Sequence, residues 1–382
     1  MGALLPVLVL ATFHRATLRR ALERAAGALR TTIRVEATLA LLVILGGSVL
    51  ALLAPPEMRA GDAARDHIDL AASTTADDTG PLLHLAAAPA RSGENVLTLW
   101  LTGPDLASIP LNSRSEVRLD FLGLDHDVVR SDVVAAPDGT GRLTVAGLEL
   151  SVDGWWRVNA HVRQPDCPEM DASFVLLLPD PNLNGTDAPR TPESDPNAAA
   201  VFERGLTQLT GLHRLRYTQR LTDGAGGLVV VDQAVDDGDG GVAPPASSQT
   251  TGQFARIQVG DREWLRLPNG TWSERAASVF VPPSAWGETY AGATGFRLGR
   301  LEEVGGEPSQ IVTFHVPGTP GQAAAWYAWW VGTESGHLHR QMMVSRSHYM
   351  LDDYRDFDVP IPIVPPVTDQ DTTPPATPEA VD

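Results

Sequence analysis

The chain has 382 residues, 43% of them hydrophobic and 20% charged, which is enough apolar material for cores in two or three domains. Its formal net charge of −18 is polarised: residues 1–54 hold six arginines against two glutamates, a net +4, so the remainder carries −22. The acidic body excludes nucleic acid as a partner because it repels phosphates, and the single cysteine, Cys167, excludes an internal disulfide or a thiolate metal cluster.

In chain order, residues 1–56 read as a membrane anchor. The run ATLALLVILGGSVLALLA, residues 37–54, has no charge and is followed by Pro55-Pro56, so a transmembrane helix is expected there. A shorter apolar run at 2–12 reads either as the end of a longer membrane helix or as an interfacial segment. The arginine-rich loop 14–34 between them is placed in the cytoplasm by the positive-inside rule, which puts everything after Pro55 outside. The lipid bilayer is therefore an expected partner and the cell membrane, with an extracytoplasmic region, the expected location.

The segments HRATLRRAL and IRVEATLALLVILGGSVLALLAPP, with Arg34 and Glu36 at the helix entry, resemble the last loop and last helix of the copper resistance protein D family. The resemblance covers about the first 55 residues and implies a role in copper homeostasis. The family's earlier helices, where its metal ligands are expected, are absent, so no ligand is carried over.

Residues 57–81 are small, polar and acidic and read as a linker. From 82 to 180 the pattern becomes short alternating segments at 95–101, 115–121, 142–150, 154–163 and 172–178, separated by Gly, Pro and Asp. That predicts an antiparallel β-sandwich. The Gly93/Asn95 entry and Gly154-Trp155-Trp156-Arg157-Val158 resemble the YtkA-like or copper-resistance-protein-C-like immunoglobulin-like domains fused to such membrane parts. His84, Asp125, His126, Asp127 and His161 are its candidate ligands, and they do not match the family's copper set.

A Pro/Asp/Asn-rich linker is expected at 181–196. The stripe Ala200, Phe202, Leu206, Leu209 and Leu212 predicts a helix over 197–212, started by Asp195 and Pro196. Strands are expected at 213–221, 228–235, 252–258, 262–267, 309–316, 324–332 and 337–345, with a long loop at 236–250. One helix followed by an antiparallel run predicts an α+β domain over 197–365, a curved sheet or half-barrel with one packed helix. The stretch AWYAWWVGTESGHLHRQMM and the ending HYMLDDYRDFDVPIPIVPP resemble the lipoprotein-carrier class, LolA-type and mycobacterial LppX/LprG-type. That resemblance implies a concave face holding a lipid or other hydrophobic ligand, with Trp264, Trp272, Trp326 and Trp330 as the cavity residues, alongside Trp286, Tyr290 and Phe296. Residues 366–382 read as a disordered tail.

His337, His339, Met343 and His348 form the one soft-ligand cluster and are the candidate copper ligands. There is no phosphate loop, HExxH, paired-cysteine zinc motif or Gly-x-Ser-x-Gly, so no enzyme is expected. The leading expectation is a membrane-anchored, mainly β envelope protein of copper resistance type. The alternative is a carrier or sensor of a hydrophobic ligand, and the third reading is a structural interaction module.

Overall fold

Period-two alternation sets most strands, and the structure, a computed structural model, shows where each face goes. It describes residues 67–366 apart from 76, 104–105, 112–113, 166, 184–188, 239–242, 253, 320–321 and 346–347. The runs 2–12 and 37–54, the loop 14–34 and nearly all of the tail 366–382 lie outside the described residues. Among the described ones, no helix is long and apolar enough to cross a membrane.

The first half is built from β1 (Ile68–Ser73), β2 (Leu82–Ala88), β3 (Asn95–Thr102), β4 (Ser108–Ile109), β5 (Glu116–Gly123), β6 (Val129–Pro137), β7 (Leu143–Gly147), β8 (Gly154–Arg163) and β9 (Met170–Leu178). The order is β1-β2-β3-β7-β6-β5-β8-β9, with β4 on β3. β6 joins two layers. It pairs with β5 through Val129–Ala135 and with β7 through Ala136 and Pro137. A register shift in the β5–β6 pairing and a positive φ at Asp132 give it the bend this needs. Leu83, Leu85, Leu97 and Leu99 from one layer share a core with Val117, Leu119, Val158 and Ala160 from the other.

Two expected loops are corrected. Within the expected linker 57–81, Ile68–Ser73 is a strand, with Ile68 and Leu70 buried. Ile68 and Leu70 around one aspartate, followed by two alanines, make an alternation too short to register, and pairing with β2 supplies the order. Within the expected loop 236–250, the small polar residues from Ala246 onward open β12 (Ala246–Thr251). Here the ladders to both neighbours, not side-chain hydrophobicity, hold the strand.

The second half begins with α1 (Pro196–Gly211). Asp195 caps it by accepting from the Asn197 N–H, with proline in the first turn. Of the predicted stripe, Phe202 and Leu209 are buried and Ala200 is exposed. Ala198 and Gly205 complete the buried face. A Cβ on Gly205 would come within 2.9 Å of Val331, so glycine sets how closely the helix rests on the sheet.

Ten more strands besides β12 follow: β10 (Arg214–Thr222), β11 (Leu228–Asp236), β13 (Phe254–Val259), β14 (Arg262–Arg266), β15 (Trp272–Ala276), β16 (Thr294–Val304), β17 (Glu307–Val316), β18 (Ala325–Gly332), β19 (Leu338–Ser345) and β20 (His348–Arg355). They form an eleven-stranded antiparallel sheet in the order β15-β14-β13-β12-β11-β10-β20-β19-β18-β17-β16. Consecutive strands β15 and β16 therefore occupy opposite edges. Their connection, 277–293, has to cross the whole sheet, and part of it is the 3-10 helix Pro283–Tyr290. A flat sheet of this width measures about 48 Å across, close to the full reach of that connection. A curled half-barrel shortens the crossing.

Both faces of this sheet are covered. On one, α1 packs Phe202 and Leu209 against Val312, Phe314, Tyr327, Trp329 and Val331. On the other, Ile311, Ala328, Trp330, Met342, Val344 and Tyr349 belong to the same core as the first-half sandwich. Polar groups close the seam. Glu302 accepts from Arg157 Nη1 at 2.6 Å and from the indole N–H of Trp330 at 2.8 Å. The Tyr349 hydroxyl donates to Asp180 at 2.7 Å, and Arg220 grips Asp78 through two nitrogens. The Arg300 N–H donates to the Leu124 carbonyl at 3.0 Å. A Cβ on Gly299 would stand 2.1 Å from that oxygen, so only glycine permits the approach.

Replacing Trp330 with alanine removes a fully buried indole and leaves Glu302 short of one donor. Unfolding stability is expected to fall by about 3–5 kcal/mol. Urea denaturation checks this, and amide exchange should show β5 and β8 losing protection together with β17 and β18.

Candidate functional site

The half-barrel face that carries α1 is organised in rows, because directly paired residues of antiparallel strands point to the same side. One row runs Phe314, Tyr327, Met343, Met350, Leu221, Val229 across β17, β18, β19, β20, β10 and β11. Exposure rises along it, from 3% at Phe314 and Tyr327 to 45% at Val229. The row is apolar throughout and leads from the core under α1 out to solvent.

The next row runs Val312, Trp329, Gln341, Asp352, Gln219, Val231. Its centre is a buried polar network. Asp352 accepts from Gln219 Nε2 at 3.1 Å, Gln341 Nε2 at 3.0 Å and the Tyr354 hydroxyl at 3.2 Å. Gln341 Oε1 in turn accepts from the Tyr290 hydroxyl and the Trp329 indole, both at 2.8 Å. Burial pushes the Asp352 carboxyl up to about 6, even though those three donors oppose the shift. Burial also raises the hydroxyls of Tyr290 and Tyr354 well above their ordinary range, and lifts Tyr327 to about 12. These tyrosines stay neutral, and Tyr290 and Tyr354 act as hydrogen-bond donors.

The crossing connection closes the face beside α1. Trp286 meets Tyr217 at 5.8 Å and Tyr290 meets Trp329 at 4.7 Å, both edge-on. Its other end is held by Glu263, which is fully buried. Burial alone would raise that carboxyl. Hydrogen bonds from Arg256, Ser278 and Arg275 more than offset burial and hold it at about 2. Between the two fastenings, Val279 and Val281 are 87% and 54% exposed.

All four tryptophans expected to line the cavity lie on the other face. Trp330 and Trp326 face the sandwich. Trp264 and Trp272 follow the same parity, paired with Ile257 and Arg266. Trp264 is buried beneath the Arg262 guanidinium. The aromatic residues of the helix-bearing face are instead Tyr217, Phe314, Tyr327, Trp329 and Tyr354, packed with Trp286, Tyr290 and Phe296 of the original expectation. Of the missed residues, Tyr327 and Trp329 sit one position away from Trp326 and Trp330 in the same aromatic run. Only the pairing register separates them.

The four candidate copper ligands are not gathered. His337 and His339 lie near each other, ring centroids 6.4 Å apart, and both pack on Phe357. His339 Nε2 is occupied by Glu307 Oε1 at 2.5 Å. Met343 lies in the apolar row under α1, while His348 pairs with Ser345 at the other end of the β19–β20 hairpin. Among the described residues no group of three or more His, Cys, Asp or Glu is placed to hold a metal. In the sandwich, His84 binds Thr102 and stacks on Trp100, and His161 pairs with Asp171 and Asp120. Cys167 is exposed.

No family model matches the sequence, and no curated protein matches it. Among solved structures, the chain is similar to the Mycobacterium tuberculosis lipoprotein LppX at 18% identity, over 45% of this chain and 100% of that one, with a TM-score of 0.35. LprF from Mycobacterium bovis is similar at 12% identity, over 46% of this chain and 99% of that one, with a TM-score of 0.38. A LolA superfamily protein from Nitrosomonas europaea is similar at 10% identity, over 43% and 94%, with a TM-score of 0.22.

Asp352 generates a pH dependence with a definite sign. Its folded value, about 6, exceeds its unfolded value of 3.8, so the fold takes up a proton there. Its contribution is fully present below about pH 4 and is lost as pH rises through about 6, a span of about 3 kcal/mol. Urea midpoints measured from pH 4 to 8 should therefore fall in this window relative to those of Asp352→Asn, whose own profile lacks the step.

Proposed function

We propose that this chain is a non-enzymatic envelope protein that binds an apolar-chain amphiphile outside the cytoplasm, on the helix-bearing face of its half-barrel. The observation that carries the reading is the apolar row from Phe314 to Val229, which starts in the aromatic core and ends in solvent without a polar interruption. An acyl chain laid along it buries its methylenes against Met343, Met350 and Leu221, at about 0.8 kcal/mol each.

The parallel row supports the same reading. At its edge the half-buried Gln219 sets a polar group beside an apolar lining, a composition suited to orienting a head group. Phe254, 53% exposed, follows the same side parity from β13, and Val279 and Val281 are exposed on the crossing connection. A bound chain gives these side chains a partner. The strand order β2-β3-β7 and β6-β5-β8-β9 supports an immunoglobulin-like reading of the first half, whose part is to cover the opposite face of the half-barrel.

The test is organic extraction and mass spectrometry of the purified full chain, with titration of a fluorescent fatty-acid probe. Probe binding is expected, and Val229→Asp and Phe254→Asp, both at exposed positions, should each weaken it by about tenfold. A chain that binds no apolar probe, or variants that bind as the parent does, would leave the structural-module reading in its place.

A further inference from the structure

A cavity of about 200 Å³ lies where the sandwich, the segment before α1 and the half-barrel meet. Its charged groups come from all three: Asp125 and Asp153 from the sandwich, Arg190 from the connecting segment, Arg297 from β16. Two of its groups are held in burial with few partners. Asp125 is 7% exposed, and its carboxylate accepts the Trp155 N–H at 2.9 Å. The Arg297 guanidinium stands 4.0 Å from it, beyond hydrogen-bond distance. Burial raises this carboxyl, against the opposing effects of the Trp155 N–H and the Arg297 charge. Trp326 also lines the cavity, and its buried indole N–H has no acceptor among the described residues. An unmet buried donor is costly, so a fold that retains one has reason to fill it.

His315, whose ring lies 4.8 Å from that of Trp326, is held below its ordinary range by burial and adds no charge at neutral pH. The cavity therefore offers an acceptor at Asp125, donors at Arg297 and Trp326, and apolar walls from Trp155 and Leu177. That pattern matches a molecule with one ammonium, one carboxylate and a short apolar body. An anion alone would face Asp125 and Asp153, and a cation alone would face two guanidiniums.

We propose that this seam cavity binds a small zwitterion of the free α-amino-acid class, with its ammonium on Asp125 and its carboxylate on Arg297 and the Trp326 indole N–H. Because the walls come from both halves, the bound molecule bridges them. Of the cavity's sheet residues, Thr313, His315 and Trp326 have the opposite parity to the apolar row, and Phe314, the buried first residue of that row, is the one the two sites share.

Calorimetry on the full chain tests the proposal with a panel of the free amino acids, together with 4-methylpentanoate and isoamylamine as single-charge counterparts of leucine. One or more amino acids should bind, and for leucine-like ligands both single-charge analogues should bind at least about tenfold more weakly. Asp125→Asn retains the acceptor for the Trp155 N–H, and Trp326→Phe retains the ring. Each should weaken binding by about tenfold with circular dichroism unchanged. Absence of binding by every amino acid overturns the proposal. So does equal binding of the carboxylate or the amine alone, which would make the cavity a simple anion or cation site.

Discussion

Glu302 ties the two halves of the described protein together. Its carboxylate is nearly buried and takes both the Arg157 guanidinium and the Trp330 indole N–H on one oxygen. A charge in that position is tolerated only because it is paired, and removing either partner strands the other. Around it, Trp330, Ile311 and Val344 continue the sandwich core without a break. The described residues belong to one compact unit, Asp62–Asp382, and this shared core explains why. The segment 181–196 reads in sequence as a boundary between domains, yet apolar packing and hydrogen bonds run past it on both sides.

Covering one face of the half-barrel with the sandwich assigns the remaining chemistry to the other. That face receives α1, with Gly205 allowing close contact, and the connection 277–293, which has to cross it because β15 and β16 lie at opposite edges. Together they bury an aromatic cluster and a hydrogen-bonded carboxyl at its centre. They leave the end of the apolar row near β11 uncovered. The proposed amphiphile site is thus a consequence of topology: the helix is sixteen residues long and rests over β16 to β19, so the strands beyond it lack a lid of the same kind.

The histidines and methionines of the C-terminal hairpin show how spacing misleads. His337, His339, Met343 and His348 are close in sequence, but the strand alternates its faces and the hairpin carries His348 to its far end. A bulge at His339, between the Trp330–Arg340 and Val331–Leu338 pairs, turns its ring toward Glu307 and Phe357. What looked like a ligand set is divided among a salt bridge, an aromatic contact and a core position.

Much of the fold was legible in the chain itself. Alternation located most strands, and Asp195-Pro196 with Phe202 and Leu209 located the helix, because these signals are local and a few residues suffice to express them. The uninterrupted apolar run AWYAWWV likewise announced a strand buried on both sides. Such a run cannot say which side meets which neighbour. Trp329 and Trp330 are adjacent and chemically identical, yet one lies under α1 beside Gln341 and the other against the sandwich on Glu302. Sequence determined that both would be buried. Only the tertiary structure, through the pairing register and the placement of two covering layers, decided which one faces the candidate site, because a strand's period of two fixes alternation and leaves parity to its partners.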